Sequence, residues 1–380
     1  MILSKMYGTR LLLLSLILLM SQANANSQEL SIDSKILNQT RGYKIYKPTG
    51  IINQSSPIIY TLDGLGAMTY GINQVNAKFG RSINAIVIEI ESDDRWKDFA
   101  TNPNGSFGKN SDLTRRFLVE EFFPMIDSIY PKSSYRVAVG HSLTALFWNN
   151  LITKNPEYVD ALVSISPMAT DSTLVNINSA YKKINKDLRL YFSYAKDDLS
   201  GHEKSFKSIP KRDKLSKISY KIERIKNTTH TTVIPQSVQN GLIHVFYELQ
   251  ELDRYSIRKA KKLFKSIKGE SGFLENYYSN IEKVYGIKLN YRRSDIIRAP
   301  IFIERWGDLE DIIPYCNEHL NIDSEIWQLY FYKGLYYEEK KNYRKALLNY
   351  ERGYKLMVDE DAIFDFSPYK EDIIRVKGKL

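Results

Sequence analysis

The chain has 380 residues, 43% of them hydrophobic and 26% charged, with a formal net charge of +10. That length exceeds one typical core and fits a large domain plus a smaller one, and the composition is that of an ordinary globular protein rather than a disordered one. A single cysteine, Cys316, excludes an intramolecular disulfide. No P-loop, GxGxxG or Cys/His cluster occurs, so no nucleotide, cofactor or metal is implied. The positive charge favours anionic substrates, membranes or nucleic acid; cations such as Lys182-Lys183 and Lys259-Ala-Lys-Lys262 are scattered and read as solvated faces.

Residues 1–25 hold Lys5 and Arg10, an apolar run Leu11 to Met20, and Ala23-Asn24-Ala25. An apolar core of about ten residues before a small-residue site is the pattern of a secretory signal, too short to span a bilayer. Cleavage after Ala25 is expected, leaving a periplasmic or secreted chain of charge +8, without stable membrane insertion and without nucleic-acid partners.

From residue 26 a leading segment carries a strand around Tyr43–Tyr46, and short apolar strands then alternate with helical stretches. Pro57–Leu62 ends at Asp63-Gly64-Leu65-Gly66, Ala85–Ile90 ends at a polar loop, and Ser111–Ile129 has helical spacing. Tyr135–Val139 runs through Gly140-His141-Ser142-Leu143-Thr144 into a helix reaching about Thr153. Ala161–Ser166, Leu188–Tyr194 and Ile218–Ile222 complete the series. Such alternation implies a mainly parallel sheet covered on both faces, with ligands beyond the carboxyl ends of the strands.

Ser142, Asp198 and His230 each follow a strand, so all three are expected on one edge of that sheet. Gly140-His141-Ser142 reads as a nucleophile elbow, although Thr144 stands where a second glycine is usual, and a Gly-x-Ser is also an ordinary strand-to-helix connection. The order serine, acid, histidine fits Ser142 as nucleophile, His230 as base and Asp198 as the acid orienting it. Asp197 competes with Asp198, and a Ser–His dyad remains open. His141 shapes the elbow, His244 lies in an apolar helix, His319 belongs to the C-terminal segment, and His202 follows the acid loop. Oxyanion donors are expected from the backbone N–H groups of Leu143 and Leu65. Asp63, Arg95 and His141 are expected at the substrate site.

Together these stretches resemble the esterase family of α/β-hydrolases that includes esterase D-like enzymes and periplasmic siderophore trilactone esterases. The resemblance is carried by Tyr60-Thr-Leu-Asp-Gly64, Asp94-Arg95 with Asp98, Val139-Gly-His-Ser-Leu143, Ser164-Ile-Ser-Pro167, and His230 with Pro235, over about Asp33 to Leu252. It implies an α/β-hydrolase fold, a serine carboxylic-ester hydrolase acting through an acyl-enzyme, and a small-molecule ester substrate such as a siderophore-type lactone.

Beyond Glu251 helix formers take over. Gly307–Cys316 lines up with Lys341–Tyr350 at an offset of 34 residues, the tetratricopeptide period, with Gly334, Tyr337, Ala346 and Tyr350 at signature spacings. The expected organisation is a signal peptide (1–25), an esterase domain (26–252), a helical linker region (253–295) and a smaller all-α tetratricopeptide-like domain (296–380), which offers a surface for a protein partner. The alternative is a non-catalytic binding protein that uses these helices on a hydrolase scaffold.

Overall fold

The computed structural model describes residues 27–47, 56–62, 85–102, 104–131, 135–196, 198, 218–252, 257–266, 272–360 and 366–380. The expectations for residues 1–25, Asp63, Leu65, Asp197 and His202 fall outside the described residues. The chain forms two compact units, one running to Leu249 with Tyr285–Ile287, the other comprising Gln250–Val284 and Lys288–Leu380.

The first unit is built on an eight-stranded sheet: β1 (Ser27–Ser34), β2 (Gln39–Tyr46), β3 (Ile58–Leu62), β4 (Ile86–Ile90), β5 (Arg136–His141), β6 (Ala161–Ile165), β7 (Leu188–Ala195) and β8 (Ile218–Ile225). Their order is β1-β2-β4-β3-β5-β6-β7-β8. β1 and β2 run antiparallel to each other, and β2 to β4, while the pairings from β4 through β3 and β5 to β8 are parallel. β3, β4 and β6 are buried at every residue, as expected of strands covered on both faces. β1 differs from the sequence reading, which has one strand in this segment. It is an edge strand with mostly exposed side chains, so its sequence lacks the apolar run that marks a buried strand.

Helices α1 (Arg95–Phe99), α3 (Leu143–Lys154), α4 (Asp171–Tyr181) and α5 (Ile234–Val245) join α2, which runs as Lys109–Arg116, a π-helical Phe117–Phe122, and Phe123–Ile129. Within the π-helical segment Glu121 accepts hydrogen bonds from Ser34 Oγ at 2.5 Å and from the N–H groups of Lys35 and Ile36 at 3.0 and 3.2 Å. It thereby satisfies the turn between β1 and β2. α3 is buried on all sides through Ile152, and its polar Asn149 donates to Ala145 O at 2.7 Å and Ser164 Oγ at 2.9 Å while accepting from Tyr181 Oη at 2.8 Å. α5 lies on β6 at Gly241, where a Cβ would stand 2.5 Å from Val163 Cγ1.

The second unit holds helices and no strand among its described residues: α6 (Ile257–Ser266), α7 (Phe273–Tyr285), α8 (Arg293–Trp306), α9 (Ile312–Ile322), α10 (Trp327–Glu339), α11 (Tyr343–Asp359) and α12 (Ser367–Lys377). Phe264, Phe273 and Phe302 meet ring against ring, so α6, α7 and α8 share a core. Gly334 of α10 faces the Tyr350 ring of α11, where a Cβ would lie 2.4 Å from Cε1. No helix of the described residues is long and apolar enough to cross a membrane.

Asp295, fully buried, accepts from Leu252 N–H at 2.7 Å, Tyr278 Oη at 2.8 Å and Arg292 Nε at 2.6 Å. Removing a carboxylate so enclosed takes the acceptor from the half-buried Arg292 guanidinium, the Tyr278 hydroxyl and the Leu252 N–H. Asp295→Ala is expected to destabilise this unit by about 3 kcal/mol or more, measured by urea denaturation followed by far-UV circular dichroism.

Candidate active site

The site begins where β5 meets α3. Ser142 is the N-cap of α3 with φ 57° and ψ −113°, a backbone conformation that costs a non-glycine residue roughly 1–3 kcal/mol and persists only where its surroundings enforce it. They do so here. Ser142 N–H donates to Ile165 O at 2.9 Å, and Ser142 O accepts from the N–H groups of Met168 at 2.9 Å and Leu146 at 3.1 Å. Gly140 is needed for the sharp exit, because a Cβ there would stand 2.8 Å from the main chain of Thr144 and Ala145.

Thr144 occupies the position where a glycine is usual, and the turn closes around it. It is fully buried, its hydroxyl donating to His141 O at 3.1 Å and accepting from His141 N–H at 3.2 Å. Arg95 Nη2 also donates to His141 O, at 3.1 Å. Leu143 opens α3, so its N–H belongs to the first turn, where backbone donors lack partners within the helix.

His230 lies in the turn after β8. Thr228 Oγ1 donates to Ile225 O, Thr229 and Thr232 exchange hydrogen bonds between side chain and backbone, and Asn227 adopts φ 57°. His230 Nδ1 is 2.6 Å from Asp198 Oδ1. A carboxylate only accepts, so Nδ1 carries the proton and Nε2 is left with its lone pair. The His230 ring lies 4.6 Å, centroid to centroid, from that of His141. It is 45% exposed while the Asp198 side chain is 2% exposed, so the carboxylate is sealed and the imidazole open.

Two further donors hold the acid: Ser166 Oγ at 2.6 Å and Ala195 N–H at 2.7 Å, both to Oδ2. Burial alone would raise the Asp198 carboxyl. The hydrogen bonds from Ser166, His230 and Ala195 outweigh it and hold the group below the ordinary aspartate range.

The structure thus brings Asp198 against His230, and His230 against the elbow that carries Ser142. His244 packs by Tyr191, with burial pushing it down to about 4, and His319 is buried beside Tyr315 in the second unit. Sequence reasoning missed the part of Ser166, which is fully buried at φ 44°. Its signal is its place just after β6, within the Ser164-Ile-Ser-Pro167 stretch.

The family model "Esterase", described as "Putative esterase", matches residues 34–237, more than half of the chain. This chain belongs to the esterase family. Two solved structures share its fold: an uncharacterised protein from Capnocytophaga ochracea, 17% identical over 93% of this chain and 100% of that one with a TM-score of 0.66, and an IroE-like serine hydrolase from Shewanella oneidensis, 17% identical over 75% and 96% with a TM-score of 0.55. No match is found among curated proteins. The first unit has the α/β-hydrolase fold, followed by an all-helical region, and membership of the esterase family supports an ester hydrolase.

Ser166→Ala removes one of three donors to Asp198. The carboxyl is then expected to titrate at a higher pH. A depressed carboxyl contributes stability that is present above its unfolded-state pKa and lost as pH falls through its folded one. The variant is therefore expected to lose about 1 kcal/mol near neutral pH, with acid-induced loss of structure that differs less from wild type as pH falls. Thermal melts from acid to neutral pH check this.

Proposed function

We propose that this esterase-family chain is an exported serine carboxylic-ester hydrolase with Ser142 as nucleophile, His230 as general base and acid, and Asp198 as the carboxylate that orients His230. The observation carrying this reading is the 2.6 Å Asp198–His230 pair set against an elbow that holds Ser142 at a strained φ of 57°. Such strain at a strand-to-helix turn exposes a serine hydroxyl at the N-terminus of a helix.

Ser142 Oγ attacks the ester carbonyl carbon as its proton passes to His230 Nε2. The resulting oxyanion receives the N–H of Leu143 and a second backbone donor, proposed to be Leu65. Collapse breaks the ester C–O bond, and His230 returns the proton to the leaving alcohol. A water molecule then gives its proton to His230 and its oxygen to the acyl carbon, releasing the acid and restoring Ser142. Asp198 stays ionised and stabilises the imidazolium at each stage.

Siderophore-type lactones are the first substrates to test, supported by the motif resemblance and by the positive charge, +10 less the two cations Lys5 and Arg10 of the leader, which suits an anionic ester. Asp63 and Arg95 are proposed at the substrate site. Export is supported by the residue pattern of 1–25, and a tetratricopeptide-like character of residues 296–380 by their 34-residue offset and by the seating of Gly334 on Tyr350.

A fluorophosphonate probe tests the chemistry directly. Wild type should label, and Ser142→Ala and His230→Ala should not, with kcat on an aryl ester falling by roughly 10⁴-fold or more. Labelling that survives Ser142→Ala overturns the assignment. Asp198→Asn is expected to cost about 10⁴-fold in kcat by presenting the wrong imidazole tautomer; a loss below about tenfold would favour a Ser–His dyad.

A further inference from the structure

His141 precedes Ser142, and its side chain is not spent on packing alone. The ring is buried at 6% exposure, and Nε2 lies 2.7 Å from the main-chain oxygen of His230. A carbonyl oxygen can only accept, so this nitrogen carries the proton. His230 is thereby held at two points: Asp198 grips Nδ1 of its ring, and His141 grips its main chain.

A grip on the ring alone would leave the loop free to carry both ring and carboxylate partner away from the elbow. The second grip closes that freedom. His141 itself is anchored through its own backbone by Thr144 and Arg95, so one residue sets how far the loop after β8 stands from the turn that bears Ser142.

We propose that His141 is a positioning residue for the base, its ring N–H holding the main chain of His230 so that the imidazole meets Ser142 in the orientation Asp198 sets. The inference rests on the serine-hydrolase reading above and adds a residue to it. Its electrostatics are compatible with turnover: burial pushes His141 down to about 4, so at neutral pH the ring beside His230 is uncharged and adds no like charge when His230 becomes an imidazolium. A cation at this distance would oppose that step.

Three variants of the full-length protein separate positioning from bulk. His141→Gln keeps an N–H donor at about the same reach, His141→Phe keeps volume without a donor, and His141→Ala keeps neither. The Gln variant should retain most of the wild-type kcat and labelling rate. The Phe and Ala variants should lose about 10- to 100-fold in kcat with KM nearly unchanged, and the downfield proton signal of His230 Nδ1–H should broaden or shift in them but not in the Gln variant. Equal kcat in the Gln, Phe and Ala variants, whether high or low, overturns the inference. Should Phe or Ala fail to fold, His141→Leu replaces them as the variant without a donor: a loss of kcat there that the Gln variant escapes upholds the role of the donor, and equal kcat in the two rejects it. Absence of labelling in well-folded wild type would instead defeat the serine-hydrolase reading, and with it this inference.

Discussion

The site depends on one close approach of backbone to backbone. Where β5 gives way to α3, the main chain of Thr144 and Ala145 occupies the space a Cβ on Gly140 would need, at 2.8 Å. Because Gly140 carries no Cβ to contest that space, the chain reverses within two residues and leaves Ser142 at a positive φ. The strain is held by the neighbouring strand, since the carbonyl of Ile165 at the end of β6 takes the Ser142 N–H. Thr144 adds a local clasp on both backbone groups of His141, so the turn tolerates a side chain at a position where glycine is the usual solution.

From that turn a line of hydrogen bonds runs outward: His141 to the main chain of His230, His230 to Asp198, and Asp198 to Ser166 and the Ala195 N–H. Two opposed effects are balanced along it. Burial disfavours charge on both His141 and Asp198, yet the outcome differs because Asp198 collects three donors and stays ionised, whereas His141 has no comparable stabilisation and stays neutral. A fixed anion on one side of His230 and an uncharged ring on the other suit the role of base proposed for it.

The helical unit is stabilised by different means. Aromatic rings meet in pairs from Phe264 to Phe302 and from Trp327 to Tyr369, and the small residues Gly334 and Gly353 let α10 and α11 approach until Tyr350 and Phe331 fill the gap. Its buried polar centre, Asp295, is satisfied by Leu252, Tyr278 and Arg292. A residue span that reads from sequence as a helical linker therefore contributes Phe264, Phe273 and Tyr278 to a packed core.

The amino-acid sequence by itself determined the parallel strands and put forward the elbow with Ser142, Asp198 and His230 as its candidate site, because fully buried strands write themselves as apolar runs and the proposed chemistry needs particular residue types after particular strands. It did not disclose β1, whose exposed edge position needs no apolar pattern, nor the π-helical turn that places Glu121 beside Ser34. Asp198 could be named, but its three donors could not be foreseen, since a carboxylate in a loop looks the same in sequence whether solvated or enclosed. Ser166 and His141 gained their parts only in three dimensions. Each acts through a hydrogen bond to a group 32 or 89 residues away in the chain, and no local pattern records a partner that distant; the folding of the sheet brings the strand ends together and decides it.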